Sequence, residues 1–115
     1  MSNKQNVIEL VTEVKGDKVI TKKYYTPRFL SMKVIYSALE LNMELSEVNA
    51  KNEKDLIDKL ANFVAEDIYG GQFTKEELEN GLHAPAAVEE LQEQLLFAMR
   101  GYQSDERKKL VEKKD

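Results

Sequence analysis

The sequence predicts an α+β fold, mainly α, in which an N-terminal β-hairpin is followed by about four helices and a charged, flexible C-terminal tail. Three observations carry that prediction. Two β-branched runs flank a glycine-containing turn near the start, helix-start and helix-stop residues then recur along the chain, and from Ser104 onward only Leu110 and Val111 are apolar. A length of 115 residues suits one compact unit. We expect a flexible N-terminus over 1–6, a single domain over 7–101 and the tail over 102–115.

In the first run, residues 7–14, apolar side chains alternate loosely with Glu9, Thr12 and Glu13 before breaking at Lys15-Gly16-Asp17-Lys18. The second, 19–25, sets Val19, Ile20, Tyr24 and Tyr25 around Thr21, Lys22 and Lys23. An isolated two-stranded hairpin is marginal in water, so a face must pack on helices or an edge must pair with another chain. Thr26-Pro27 predicts a helix start, threonine as N-cap and proline at the first helical position, with the helix running to about residue 43. At about 100° per residue, Phe29, Met32, Tyr36, Leu39 and Met43 form one stripe and Leu30, Val34, Ala38 and Leu41 a second, with Ile35 between them. Only Lys33, Ser37, Glu40 and Glu44 make a solvated strip. This helix is either a central layer of its own small core or an interface.

Asn52 is a plausible N-cap for a second helix over 53–69, whose core stripe is Leu56, Leu60, Phe63, Val64 and Ile68 and which Gly70-Gly71 ends. Thr74 and Glu77 then form a capping box, with Phe73 and Leu78 at the two positions of a hydrophobic staple. Asn80-Gly81 stops that short helix. Ala84-Pro85 restarts the last one, in which Val88, Leu91, Leu95 and Ala98 keep a three-four spacing until Gly101.

Composition narrows the function. Charged residues reach 33%, above the roughly 25% of an average domain, and apolar residues 42%, enough for one core under a densely charged surface. Seventeen Lys and Arg against twenty-one Asp and Glu leave a net charge of -4, no field for a nucleic-acid backbone. The absence of cysteine excludes disulfides, a thiolate zinc site and a cysteine nucleophile. No run of 18 apolar residues exists, so a cytoplasmic protein with no membrane partner is expected.

Chemistry-bearing patterns are sparse. His83, the one histidine, lies between two helix-boundary signals with neither a nucleophile nor a paired carboxylate marked beside it. The acidic pairs Glu66-Asp67, Glu76-Glu77 and Glu89-Glu90 are adjacent in sequence and so point apart on a helix. Asp55 with Asp58, and Glu89 with Glu93, share faces but lack the partners of a strong metal site. Gly70-Gly71 follows a helix where a phosphate loop would follow a strand. No enzyme activity, cofactor or metal is expected, and the chain reads as one whose work is contact.

The order of elements carries a resemblance. A hairpin with a Lys-Gly-Asp-Lys turn runs through a basic-aromatic strand into Thr26-Pro27-Arg28, then two helices and the segment Gln72-Phe73-Thr74-x-x-Glu77-Leu78-x-x-Gly81-Leu82. Over about residues 7–101 this resembles the tail assembly chaperones of long, flexible-tailed bacteriophages of Gram-positive hosts. The resemblance implies a homo-oligomeric protein made in the host cytoplasm and absent from the finished virion. It implies binding of the tape measure protein, which the chaperone keeps soluble while tail tube subunits polymerise around it. It further implies a longer form made by ribosomal frameshifting, to which Lys108-Lys109 or Lys113-Lys114 codons could contribute, and which engages the tail tube protein. On this reading the contact residues are Phe29, Leu30, Met32, Val34, Tyr36 and Leu39 on the doubly apolar helix, with Tyr24 and Tyr25 on the second strand. The competing readings are a structural phage protein, either a head–tail connector or a minor tail subunit, and a small host-directed adaptor.

Overall fold

The structure, a computed structural model, describes residues 4–112. β1 (Val7–Lys15) and β2 (Lys18–Tyr25) form an antiparallel ribbon closed by a two-residue turn, in which Gly16 takes the left-handed φ of 59°. The register slips by one between Val11 and Glu13, a bulge at Thr12. The ribbon changes character there. Val7, Ile8 and Leu10 before the bulge are buried, whereas Val14, Val19 and Ile20 beyond it are exposed, so the bulge marks where the ribbon leaves the body of the protein.

The expected helix start at Thr26 is corrected. Thr26 is buried and prolongs the ribbon: its N–H donates to Asn6 O at 3.0 Å, and its Oγ1 accepts the Asn6 N–H at 3.0 Å. The hydroxyl that would cap a helix is used for strand pairing. The chain then runs without regular structure to α1 (Lys33–Leu45), where the Ser31 hydroxyl accepts the Lys33 N–H at 3.3 Å. Asn6, placed in the mobile N-terminus by the sequence, is fully buried.

α2 (Glu53–Asn62) starts where predicted, but the Asn52 side chain does not cap it; Asn52 Oδ1 instead accepts the Asn49 N–H at 2.7 Å in the preceding turn. The helix widens without a break into a π-helical segment (Phe63–Ile68), marked by the Tyr69 N–H donating to Val64 O at 3.0 Å. The wider turn lets three consecutive residues, Phe63, Val64 and Ala65, share the buried face with Ile68 and Tyr69, more than a regular α-helical stripe holds. Gly70 and Gly71, both left-handed, end it.

α3 (Lys75–Gly81) carries the predicted capping box, with the Glu77 N–H donating to Thr74 Oγ1 at 3.0 Å and the Thr74 N–H to Glu77 Oε1 at 2.9 Å. Phe73 and Leu78 are both buried in the core. Gly81 has a packing role: a Cβ there would lie 2.9 Å from Leu10 Cβ and 3.1 Å from Val11 O, so only glycine lets α3 sit against β1 this closely. α4 (Ala84–Arg100) has Pro85 in its first turn and ends at left-handed Gly101, whose N–H donates to Phe97 O at 2.8 Å. It touches α1, α2 and the π segment, and forms the centre of the helical layer.

The tail also differs from expectation. Residues Asp105–Glu112 form a fifth helix, α5, beside β1, while residues 113–115 lie outside the described part. Ser104 opens it by accepting the Arg107 N–H at 3.3 Å, with Asp105 and Glu106 in the first turn. No α5 residue is fully buried, and eight residues are too few for a helix stable by itself. Arg107 holds it in place. Its Nη1 donates to Val7 O, and its Nη2 to Glu90 Oε1 at 2.7 Å with Glu93 Oε2 at 3.7 Å; its Nε alone has no partner among the described residues.

Gln94, on the inner face of α4, has no exposure and all its valences filled. Its Oε1 accepts from Asn6 Nδ2 at 2.9 Å and from the Tyr69 hydroxyl at 2.7 Å, while its Nε2 donates to Val7 O at 3.0 Å and Glu90 Oε2 at 2.9 Å. Burial pushes the Tyr69 phenol well above its ordinary value, with the Arg107 charge working against that rise. A raised folded-state pKa adds stability that is whole below the unfolded value near 10 and is lost as the pH climbs through the folded one.

Gln94→Leu is expected to cost about 2–4 kcal/mol in denaturant unfolding, because it strands the Asn6 amide and the Tyr69 hydroxyl. Tyr69→Phe should cost about 1 kcal/mol at neutral pH, and the gap to the parent should narrow above pH ~10, where only the parent must ionise a buried phenol. Removal of residues 104–115 should lower stability by about 1–3 kcal/mol through the Arg107 contacts, and Arg107→Met alone should reproduce most of that loss.

Candidate protein-binding site

α1 has two faces. On one, Val34, Ala38, Leu41 and Leu45 fall within a sector of about 60°, and this face packs into the core, with Ala38 at 0% exposure and Leu41 at 6%. On the other, Met32 (63% exposed, immediately before the helix), Tyr36 (56%), Leu39 (39%) and Met43 (71%) fill an equally narrow sector on the opposite side. Phe29, in the irregular approach to the helix, adds 79% exposure at the same end. Four large apolar side chains in one row, with Phe29 exposed beyond its start, exceed the scattered surface hydrophobics of an ordinary monomer.

The cause is local. α4 and α2 lie against the inward face of α1, and no element of the described chain crosses the outward one. A row of this kind can receive an apolar stripe from another helix, whose anchors would repeat every three or four residues. Lys33 and Glu40 flank the row on one side, half-buried Ile35 and exposed Asn42 on the other, and Glu44 is held by Lys59 at 2.8 Å. That pair is exposed; the Lys59 pKa is raised, first by its hydrogen bond to Glu44.

Of the expected contact residues, Met32, Tyr36 and Leu39 share the outward row, and Phe29 is exposed in the chain leading to the helix. Leu30 and Val34 are half-buried and pack against the core. Tyr24 and Tyr25 lie apart from the row, both half-buried. The Tyr24 ring meets Phe73 edge-on at 4.8 Å, with the Lys22 ammonium 4.9 Å from its centroid, and Tyr25 O accepts from Gln72 Nε2 at 2.7 Å. Met43 completes the row although it stood outside the expected contact set; its membership of the same helical stripe was the available signal.

A second surface lies between the ribbon, α4 and α5. It is a groove of about 600 Å³ lined by Val11, Leu82 and Ala86 and by the acids Glu89, Glu90, Glu93 and Glu106, of which Arg107 bridges Glu90 and Glu93. His83 lies on this groove, exposed and without a capping bond. Among the described residues, no group of three His, Cys, Asp or Glu side chains is placed to hold a metal, and no helix is long and apolar enough to cross a membrane.

The hairpin-plus-helices fold, with its capped Phe-Thr-x-x-Glu-Leu-x-x-Gly-Leu turn, accords with a match among known families. A family model described as phage tail chaperone protein covers residues 3–115, nearly the whole chain. The chain belongs to the phage tail chaperone family. Neither the curated proteins nor the solved structures contain a match. Family membership gives this chaperone a role in tail assembly within the infected host and protein partners in the phage tail.

The two faces of α1 separate in a stability experiment. Met32→Ser and Met43→Ser should shift unfolding by less than about 0.5 kcal/mol, as surface changes do, while Leu41→Ala should cost about 2–5 kcal/mol. Urea denaturation of the three variants checks both halves.

Proposed function

We propose that this chaperone binds the tape measure protein and keeps it soluble while the tail tube grows around it, with the outward row of α1 as the holding surface. The observation that carries the reading is the exposure of Tyr36, Leu39 and Met43 on one side of a helix whose other side packs into the core, with Met32 and Phe29 exposed in the chain leading into it. A tape measure protein is a long helical chain with apolar stripes awaiting assembly, and a row of helically spaced anchors matches such a stripe. The net charge of -4 and the charge-dense remainder of the surface keep the loaded complex from precipitating. The activity is holding, with no catalytic step. The protein acts in the host cytoplasm and is left out of the finished virion, self-association accompanies the work, and a longer frameshifted form brings in the tail tube protein.

Co-expression with the tape measure protein tests this. The parent should carry the partner into the soluble fraction and co-purify with it. The paired change Tyr36→Asp with Leu39→Asp should abolish both effects, while circular dichroism and the unfolding midpoint stay near the parent's, since both side chains are exposed. Retention of the partner by the double variant would remove α1 as the site. Failure of the parent, together with its presence in purified virions, would favour a structural tail component.

A further inference from the structure

We propose that the groove between the ribbon, α4 and α5 receives an arginine carried on a basic helix of a partner protein, and that α5 is its resident stand-in, displaced when that helix arrives. The groove shares no residue with the outward row of α1, so the proposal does not rest on the reading given to that row.

The receptor is a set of three oxygens. Val7 O and Glu90 Oε1 accept from the Arg107 guanidinium, and Glu93 Oε2 lies 3.7 Å from it. Two of these groups are held in place without Arg107, because Gln94 Nε2 donates both to Val7 O at 3.0 Å and to the other oxygen of Glu90 at 2.9 Å. The site keeps its shape when its cation leaves, and little ordering is needed to fill it again. Glu90, half-buried and bonded to a neutral amide, is then a charge short of its partner. Acceptors spread over β1 and α4 suit the planar fork of an arginine better than the point charge of a lysine.

α5 matches this site only in part. Leu110, three residues after Arg107, enters the groove with it, but so does Glu106, which joins Glu9, Glu89, Glu90 and Glu93 in the lining. The groove with α5 in place thus holds five acids against one arginine. Three acids and three bases give α5 no net charge of its own. A helix that presents arginine with leucine three positions on, and bases where α5 has Glu106 and Glu112, keeps both contacts and relieves the repulsion. The occupant is not a strand, since Gln94 and α3 close the β1 border. α5 is also easily let go. No residue of it is fully buried, and Gln103 is tied back to Gln5 O and Asn6 Oδ1, so the chain can swing away from Ser104 onward with the body undisturbed.

The probe is a fluorescent synthetic peptide of residues 104–112 carrying Glu106→Lys and Glu112→Lys. Anisotropy should show it binding the parent weakly and about tenfold more tightly once α5 is released, because the free fraction of the groove rises. Two variants release α5 differently: Arg107→Ala removes the anchor, and Lys108→Pro breaks the helix at the N–H that donates to Ser104 O at 3.0 Å, outside the groove lining. Adding Glu90→Gln to Lys108→Pro should remove most of the binding. Arg107→Lys in the peptide should do the same with the protein unaltered. A spin label on Lys109→Cys, an exposed position in a chain with no other cysteine, should gain mobility as the peptide saturates the parent. Equal affinity for the parent and both release variants, indifference to Arg107→Lys in the peptide, or saturation with no gain in label mobility would each overturn the proposal. A parent dimer that dissociates in Arg107→Ala would overturn it too, by making α5 of a second copy the occupant.

Discussion

The carboxamide of Gln94 is the junction on which the arrangement depends. It is buried with four partners: Asn6 before the ribbon, Val7 within it, Tyr69 at the end of the π segment and Glu90 one turn back on its own helix. Glu90 in turn holds Arg107, and Arg107 shares the Val7 carbonyl with Gln94. One side chain thereby fixes the angle between the hairpin and the helical layer and, at one remove, the seat of α5. An apolar residue at this position could fill the space but could not say which way the ribbon enters. The hydrophobic core alone leaves that choice open, because Ile8 and Leu10 would be buried by many docking angles.

Much of the fold was legible because its signals are local. The turn at Gly16, the capping box at Thr74, the proline start of α4 and the glycine stop at Gly101 each satisfy backbone groups within a few residues, so sequence spacing suffices to find them. Thr26 misled for the same reason in reverse. Its cap signal was genuine, but a partner twenty residues away, Asn6, claimed both its backbone and its hydroxyl. Gln94 left a usable trace, a polar residue at core spacing between Leu91 and Ala98, whereas Arg107 left almost none in the middle of five consecutive charged residues, 105–109. The outward row was read as one of two stripes on a single helix. Which stripe faces the core follows from where α2 and α4 dock, and that is tertiary information.

The two faces of α1 also explain how its composition is consistent with a small protein. A chain this short has few layers in which to bury a helix from both sides. Ala38 at the centre of the inward face admits close approach of a neighbour, and Tyr36, Leu39 and Met43 lie outward. The helix thus buries Ala38 and Leu41 on the inward face and leaves Tyr36, Leu39 and Met43 outward, where the methionine is flexible and tolerant of varied shapes.

The seating of Gly81 against Val11 reaches beyond the packing of one helix. With Gln94 and Arg107 occupying the carbonyl of Val7 and α3 pressed onto the backbone near Val11, the inner half of the β1 border is closed to any incoming strand. The opposite border carries Lys18, Lys22 and Lys23, whose like charges repel a stacked copy. The ribbon is in this way denied the commonest route into fibrils, and a single methyl group at residue 81 would begin to reopen it.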